Sequence, residues 1–175
     1  MNRHYKTLEL DKILKLLADQ TSIDDAKEMA LSLEPQFELE KVKKLLKQTD
    51  DAVVLSGKYG TPSFGGAKNC ANALRRAEAG GCLSTGELLQ IAETLRIIRS
   101  VKEWHSKFAS TETTLDGYFS GLVSNKFLEE KITTAIISED EISDKASTTL
   151  AEIRRKIRTP SSKSLSNTHL TLPTI

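Results

Sequence analysis

The stretch PSFGGAKNCANALRRAEAGGCLSTGELLQIAETL, from Pro62 to Leu95, decides the fold of this chain. Its composition predicts a short helix over residues 70–79, a stop at Gly80-Gly81 and a long helix after Ser84. Glycine takes the left-handed backbone conformation at a helix C-terminus at little cost, which makes Gly80-Gly81 a stop. Ser84 and Glu87 are three residues apart, the spacing of a capping box, so the long helix should begin directly after Ser84.

Apolar residues at helical spacing recur on both sides of this stretch. Further helices are predicted over 8–20, 22–33, 39–56, 115–123, 126–137 and 148–158. The long helix should run to about Phe108 and carry Trp104 as a core anchor. Residues 137–143 are either a small β-hairpin or a loop, because a two-stranded ribbon alone is marginal. The fold class that follows is all-α, an irregular multi-helix bundle with short connections.

Several finer expectations concern caps and buried rings. Ser22 or Asp24 is expected to cap the second helix, since both residue types are good N-caps. Four aromatic residues outside the long helix are expected to be buried: Phe64, Tyr118, Phe119 and Phe127.

Bulk composition narrows the class of protein. The chain has 175 residues, with 38% hydrophobic and only 5% aromatic residues, which suits helices packed through leucine, isoleucine and alanine. Its net charge of +1 provides no global attraction to nucleic acid, so any such binding needs a local basic patch. Neither an apolar signal region nor an 18-residue apolar run is present, and we therefore expect a cytoplasmic protein without a membrane partner.

The densest basic cluster lies in the last predicted helix, which Ser147 should cap. Arg154, Arg155 and Arg158 lie to one side of its apolar stripe. Two interpretations are open. The arginines either complement the negative helix C-terminus and the solvent, or they contact the phosphate backbone of a nucleic acid.

No catalytic, cofactor or metal site is predicted. Gly57-Lys58 is not a phosphate-binding loop, because no glycine precedes Gly57 at the spacing that motif needs and Tyr59 stands where it needs serine or threonine. The acidic run at Glu139-Asp140-Glu141 and Asp144 is too irregular for a calcium loop. The three histidines lack metal-ligand spacing.

The character of the chain changes after Arg158. Residues 159–175 are rich in serine and threonine, contain two prolines and lack a helical stripe. We therefore divide the chain into a helical domain over 1–158 and a tail over 159–175. The tail is expected to be disordered and is hypothesised not to be native to the domain.

Three parts of the opening stretch, FGG, ALRRAEAGG and LSTGELLQIAETL, resemble the N-terminal core region of the MutS-two family. This is the bacterial MutS paralogue that lacks the mismatch-reading domain. TLELDKILKLLA near the start and KASTTLAEIRRKIR near the end are also similar, in the right order. The resemblance extends from Tyr5 to Arg158.

The resemblance implies a role but no chemistry for this chain. Full-length members of the family are homodimeric ATPases with a C-terminal Smr nuclease domain, linked to recombination suppression through branched DNA and to rescue of collided ribosomes. The ATPase and nuclease motifs are missing here, so ATP and magnesium are expected only in the missing ATPase domain. The chain would be a truncated lever base, a monomer without catalysis, in which 147–158 begin a long lever helix. The alternative is a self-standing helical module that binds a protein partner.

Overall fold

The computed structural model describes the backbone of residues 7–167 and the side chains of residues 7–158. Over these residues it contains eight α-helices, one 3-10 helix and one two-stranded antiparallel sheet, so the predicted all-α class is confirmed. The helices are α1 (Leu10–Asp19), α2 (Asp24–Leu31), α3 (Leu39–Tyr59), α4 (Ala71–Glu78), α5 (Thr85–Ser106), α6 (Asp116–Ser120), α7 (Lys126–Ala135) and α8 (Thr148–Asn167). The strands are β1 (Ile136–Ser138) and β2 (Glu141–Ile142), and the 3-10 helix is Asp144–Ala146.

Two successive glycines end α4 as predicted, each for its own reason. Gly80 has a φ of 83°, and its N–H donates to the carbonyl of Ala77 at 2.9 Å. The N–H of Gly81 donates to the carbonyl of Arg76 at 2.8 Å, which completes a Schellman motif. A Cβ on Gly81 would lie 2.9 Å from that carbonyl oxygen, so no side chain fits there without a shift.

The predicted capping box starts α5. The Ser84 hydroxyl accepts from the N–H of Glu87 at 3.2 Å, and the N–H of Ser84 donates to the Glu87 carboxylate at 2.9 Å. The Arg76 guanidinium also pairs with Glu87. The N–H of Ser84, and then Arg76, hold the pKa of Glu87 below its usual value. Because Arg76 belongs to α4, the same carboxylate fixes α4 against the start of α5.

Helix α5 carries two separate apolar clusters. In its first half, Ile91 and Ala92 pack against Ile132 of α7 and Ile136 of β1, and all four are buried. Burying the three isoleucines contributes roughly 1.5 to 3 kcal/mol each. This cluster therefore holds α7 and the hairpin against α5.

The second cluster lies at the other end of α5 and fixes the end of α3. Trp104 and Phe108 pack with Leu55 of α3, and the prediction of Trp104 as a core anchor is confirmed. The indole N–H of Trp104 donates to the carbonyl of Gly60 at 2.7 Å. A polar ring N–H buried in this way needs a partner, and the end of α3 supplies it.

The predicted cap of α2 is wrong. The N-cap residue is Ile23, which has an extended backbone and no side-chain capping bond, so neither Ser22 nor Asp24 fills that position. Asp25, in the first turn, accepts from the Asn69 side chain at 2.7 Å instead. This contact joins α2 to the loop before α4, but it satisfies none of the backbone N–H groups at the start of α2.

Residues 137–143 were predicted to be either a hairpin or a loop, and the hairpin is confirmed. The predicted end of the last helix is wrong. β1 pairs with β2, and Ser147 caps α8 by accepting from the N–H of Leu150 at 3.1 Å. The backbone of α8 continues through Pro160 to Asn167 instead of stopping at Arg158. Proline removes one intrahelical hydrogen bond, at a cost of about 3 kcal/mol, and the turns on either side persist. The rest of the predicted tail, 168–175, lies outside the described residues.

Three of the four aromatic residues expected in the core are exposed. They are Phe64, Tyr118 and Phe127, whereas Phe119 packs partly buried against the second cluster. For Phe127 the reason is geometric: α7 packs through Ile132, and a residue five positions earlier points about 140° away from it on a helix.

Within the described part of the chain, no helix combines the length and apolar character needed to span a membrane.

Candidate nucleic-acid interface

The predicted arginines lie at the base of α8, where a short turn joins this helix to the β1–β2 hairpin that follows α7. The turn is the 3-10 helix Asp144–Ala146, which contacts both α7 and α8. The hydroxyl of Ser143 accepts from the N–H of Lys145 at 3.1 Å and caps the turn. The hairpin, the turn and the first two turns of α8 therefore form one connected unit on α5.

Arg154 clamps α8 to this unit. Its guanidinium donates to the carbonyl of Ile142 at 2.7 Å and to the carboxylate of Asp144 at 2.6 Å. Arg158, one helical turn later, approaches the other carboxylate oxygen of Asp144 at 3.6 Å. The Arg154 hydrogen bond, supplemented by the charge of Arg158, lowers the pKa of Asp144. Asp144 is thus an ionised anchor for α8.

The three arginines do not form one outward-facing cluster. The side chain of Arg154 is only 33% exposed because it is engaged with the hairpin, whereas that of Arg158 is 73% exposed. Arg155 is also exposed. Arg155 and Arg158 are three residues apart and therefore lie on one side of α8. Phosphate contact by the three arginines stays a prediction, and Arg154 has a visible structural role.

A groove of about 410 Å³ opens between α7 and the 3-10 turn, next to the base of α8. Lys131 and Lys145 contribute its cations, and the exposed ring of Phe127 forms part of its wall. The ammonium of Lys131 lies 5.8 Å from the centroid of the Phe127 ring. Glu130 also lines the groove, and its carboxylate lies 3.6 Å from the ammonium of Lys126.

These groups suit an anionic ligand with flat rings. Lysine side chains neutralise backbone phosphates, and an exposed aromatic ring stacks on an unpaired base. Sequence reasoning missed the groove because it assigned Phe127 to the core. The available signal was the position of Phe127 off the Ile132 face, with Lys131 one turn away on the same side.

The glycine-lysine pair and the acidic run considered in the sequence are both parts of the packed structure. Gly57 and Lys58 are helical residues of α3 rather than part of a loop. The backbone carbonyl of Glu139 accepts from the hydroxyl of Thr85, which ties the hairpin to the start of α5. Within residues 7–158, no three His, Cys, Asp or Glu side chains are placed to hold a metal ion.

Comparison with known proteins supplies the family. No protein-family model matches the chain. It is 41% identical over 157 residues to a protein of Acetivibrio thermocellus named Endonuclease MutS2, which covers 87% of this chain. Proteins of the same name from Ruminiclostridium cellulolyticum and Agathobacter rectalis are each 38% identical over 156 residues, or 88% of the chain. The matched residues belong to the MutS2 family. This confirms the predicted resemblance.

The match covers only part of each MutS2 protein. The chain spans about 20% of the length of each of these three relatives. Their name describes them as endonucleases, and that activity is a property of those whole proteins.

Proposed function

We propose that this chain is a helical coupling element of a MutS2-type protein, non-catalytic on its own, that contacts DNA at the base of α8. The observation that carries the coupling role is the pair of hydrogen bonds from Arg154 to Ile142 and Asp144, which attaches a long helix to a packed scaffold. The 20 residues of α8 extend about 30 Å, so the helix can report a distant movement to the scaffold.

Packing makes such coupling mechanical. Buried clusters on both ends of α5 resist continuous deformation, so a displacement of α8 moves its base as a unit. The hairpin and the 3-10 turn transfer that displacement to α5, because they connect α8 to the packed helices. Helix α8 would thus act as the arm of a lever, and the helices packed on α5 would act as its base.

For the whole protein we propose the activities that the resemblance implies. They are ATP hydrolysis with magnesium in a separate domain, homodimer formation in the cytoplasm, action on branched DNA in recombination, and rescue of collided ribosomes. The 175 residues contain no glycine-rich loop followed by lysine and serine or threonine, so nucleotide turnover is assigned elsewhere. The purified chain should therefore release no phosphate from ATP.

Salt-dependent DNA binding tests the DNA contact. Binding of the chain to a labelled four-way DNA junction is measured by fluorescence anisotropy at several salt concentrations. Changing Arg155 and Arg158 together to alanine should weaken binding and flatten the plot of log affinity against log salt, by about one unit for each phosphate that is no longer neutralised. Lys131→Ala with Lys145→Ala should do the same if the groove belongs to the interface.

The matched control removes two lysines from another helix. Lys43→Ala with Lys44→Ala lowers the net charge equally on exposed α3 and should leave the slope unchanged. A slope that is equal in all three double variants would contradict the proposed DNA contact. Tighter binding to an RNA hairpin than to the junction would assign the surface to RNA instead.

A further inference from the structure

A buried ion pair joins α5 to α7. Within residues 7–158, Glu129 of α7 is the only charged side chain that is buried. Its carboxylate accepts two hydrogen bonds from Arg99 of α5, at 3.1 Å from Nε and 2.8 Å from Nη2. The same guanidinium donates through Nη1 to Glu103 at 3.2 Å. The hydrogen bonds from Arg99 hold the pKa of Glu129 below its usual value, although burial acts in the other direction, so the pair is ionised.

The apolar contacts of α7 do not by themselves fix how far along α5 it lies. Glu129 lies beside Arg99, whereas the carbonyl of Glu139 accepts from the hydroxyl of Thr85. Helix α7 and β1 therefore run antiparallel to α5. The apolar side of α5 continues toward its start through Leu88-Leu89, which pack partly buried on the same cluster. A shift of α7 by three residues, about 4.5 Å in that direction, would keep its isoleucines on apolar side chains.

A second arginine lies at the shifted position. Arg96 stands three residues before Arg99, and its charge also favours the ionised form of Glu129. In the observed structure Arg96 pairs with Glu93 of its own helix, through Nε at 2.8 Å and through Nη2. After the shift, Glu129 would have to take Arg96 from Glu93, and Arg99 would lose its bidentate partner.

We propose that the Arg99–Glu129 pair selects the register of α7 on α5 and excludes the register one turn away, in which Glu129 would face Arg96. A buried ion pair adds little net stability, but it penalises any packing that leaves one of its charges without a partner. The hairpin and the 3-10 turn link α7 to α8, so the same pair determines where the base of α8 lies along α5. This selection concerns helix packing and is independent of the proposed DNA contact.

The distance between two spin labels, measured by pulsed electron–electron double resonance, tests the register. One label is attached to Lys107→Cys, directly after α5, and the other to Thr134→Cys on α7, and both sites are exposed. The background carries Cys70→Ser and Cys82→Ser, so that the labels bind only at the two chosen sites. A shift of α7 toward the start of α5 lengthens this distance by about 4 Å. The labelled parent chain should give a single distance.

Replacing the buried pair by apolar residues should release the register. Arg99→Met with Glu129→Leu should keep the helix content and the midpoint of urea unfolding, but it should add a second distance about 4 Å longer. Arg96→Met with Glu93→Leu is the matched control, because it removes a more exposed pair of the same two residue types within α5 alone. The control should keep the single distance, and a second distance there as well would contradict a specific role for the buried pair.

Arg99→Gln is a milder variant for the case in which the apolar pair does not fold. It leaves Arg96 as the arginine within reach of Glu129, so the longer distance should dominate. Circular dichroism checks the helix content of every variant. A single parent distance in the folded Arg99 variants overturns the proposal, because apolar contacts would then set the register. A second distance in Thr85→Val, with none in the Arg99 variants, also overturns it and assigns the register to the hairpin tip.

Discussion

Asp51 shows how one carboxylate can connect distant parts of the chain. It lies on α3 and accepts from both the N–H and the hydroxyl of Thr114, at 2.9 and 2.8 Å. It also pairs with Lys47, one turn earlier, at 2.7 Å. Lys47, followed by the two donors of Thr114, lowers the pKa of Asp51 to about 2. Three donors favour the ionised form, so the contact depends on pH.

Asp51→Asn should therefore change the pH dependence of stability. An unfolded aspartate has a pKa of about 3.9, so the folded state gains stability from Asp51 above that pH and loses it as pH falls toward about 2. The variant should be less stable than the wild type at pH 7, and the difference should shrink between pH 4 and pH 2. Urea unfolding followed by circular dichroism at several pH values measures this.

The control for this change is Asp19→Asn, at an exposed position on α1. Its free energy of unfolding at pH 7 should fall by less than that of Asp51→Asn. A constant difference for Asp51→Asn would mean that Thr114 and Lys47 do not favour the ionised form in solution.

The carboxylate of Asp144 pairs with two arginines of α8. Asp144→Asn keeps the shape of the anchor and removes the charge that Arg154 and Arg158 share. We expect faster amide hydrogen exchange in the first turns of α8 and in β2, with unchanged exchange around Ile91 in α5. Hydrogen exchange read by mass spectrometry measures both segments in one experiment. Asp140→Asn, on the exposed hairpin turn, is the matched control and should leave both unchanged.

Local signals in the sequence predicted the helix ends that are set locally. The Ser84–Glu87 capping box and the Gly80-Gly81 stop were correct, because each is made by groups within a few residues of one another. The cap of α2 and the end of α8 were wrong. At α2 the N-cap position falls on Ile23, and the distant Asn69 engages Asp25 in the first turn, a partner that no local rule reveals.

At the scale of the whole molecule, α5 joins two apolar clusters that have no buried residue in common. Phe108 is 1% exposed and contacts the rings of Tyr59, Trp104 and Phe119, with centroids 4.8 to 6.2 Å away. Phe108→Ala should lower the unfolding free energy by about 3 to 5 kcal/mol, because truncation leaves a cavity among these rings. Chemical denaturation measures the decrease.

The same variant also tests whether the two clusters are independent. Hydrogen exchange should become faster in α3, which Leu55 joins to this cluster, and should stay slow near Ile132 in α7. Equal acceleration in both regions would show a single cooperative core. Ile132→Ala is the reciprocal variant and should accelerate hydrogen exchange in α7 more than in α3.

Sequence patterns predicted the candidate site only in part. They located Arg154, Arg155 and Arg158 correctly on the last helix, but they could not show that Arg154 is engaged with Ile142 and Asp144. Those partners lie ten and more residues earlier, across a segment that the pattern allowed to be either a hairpin or a loop. The groove beside Phe127 was missed for a related reason. Which face of α7 is buried depends on α5, and a single helix does not reveal its neighbour.

The pair Gly80-Gly81 has a consequence for inheritance. One glycine is needed for its backbone angle and the next for lack of space, so neither can compensate for the other. Every glycine codon begins with two guanines, and any change of either base introduces a side chain or a stop. A change at the first two bases of either codon therefore ends the chain or places a side chain where the backbone is strained, at Gly80, or where space is lacking, at Gly81. Among random variants screened for folded protein, this dipeptide should stay unchanged more often than the flanking codons.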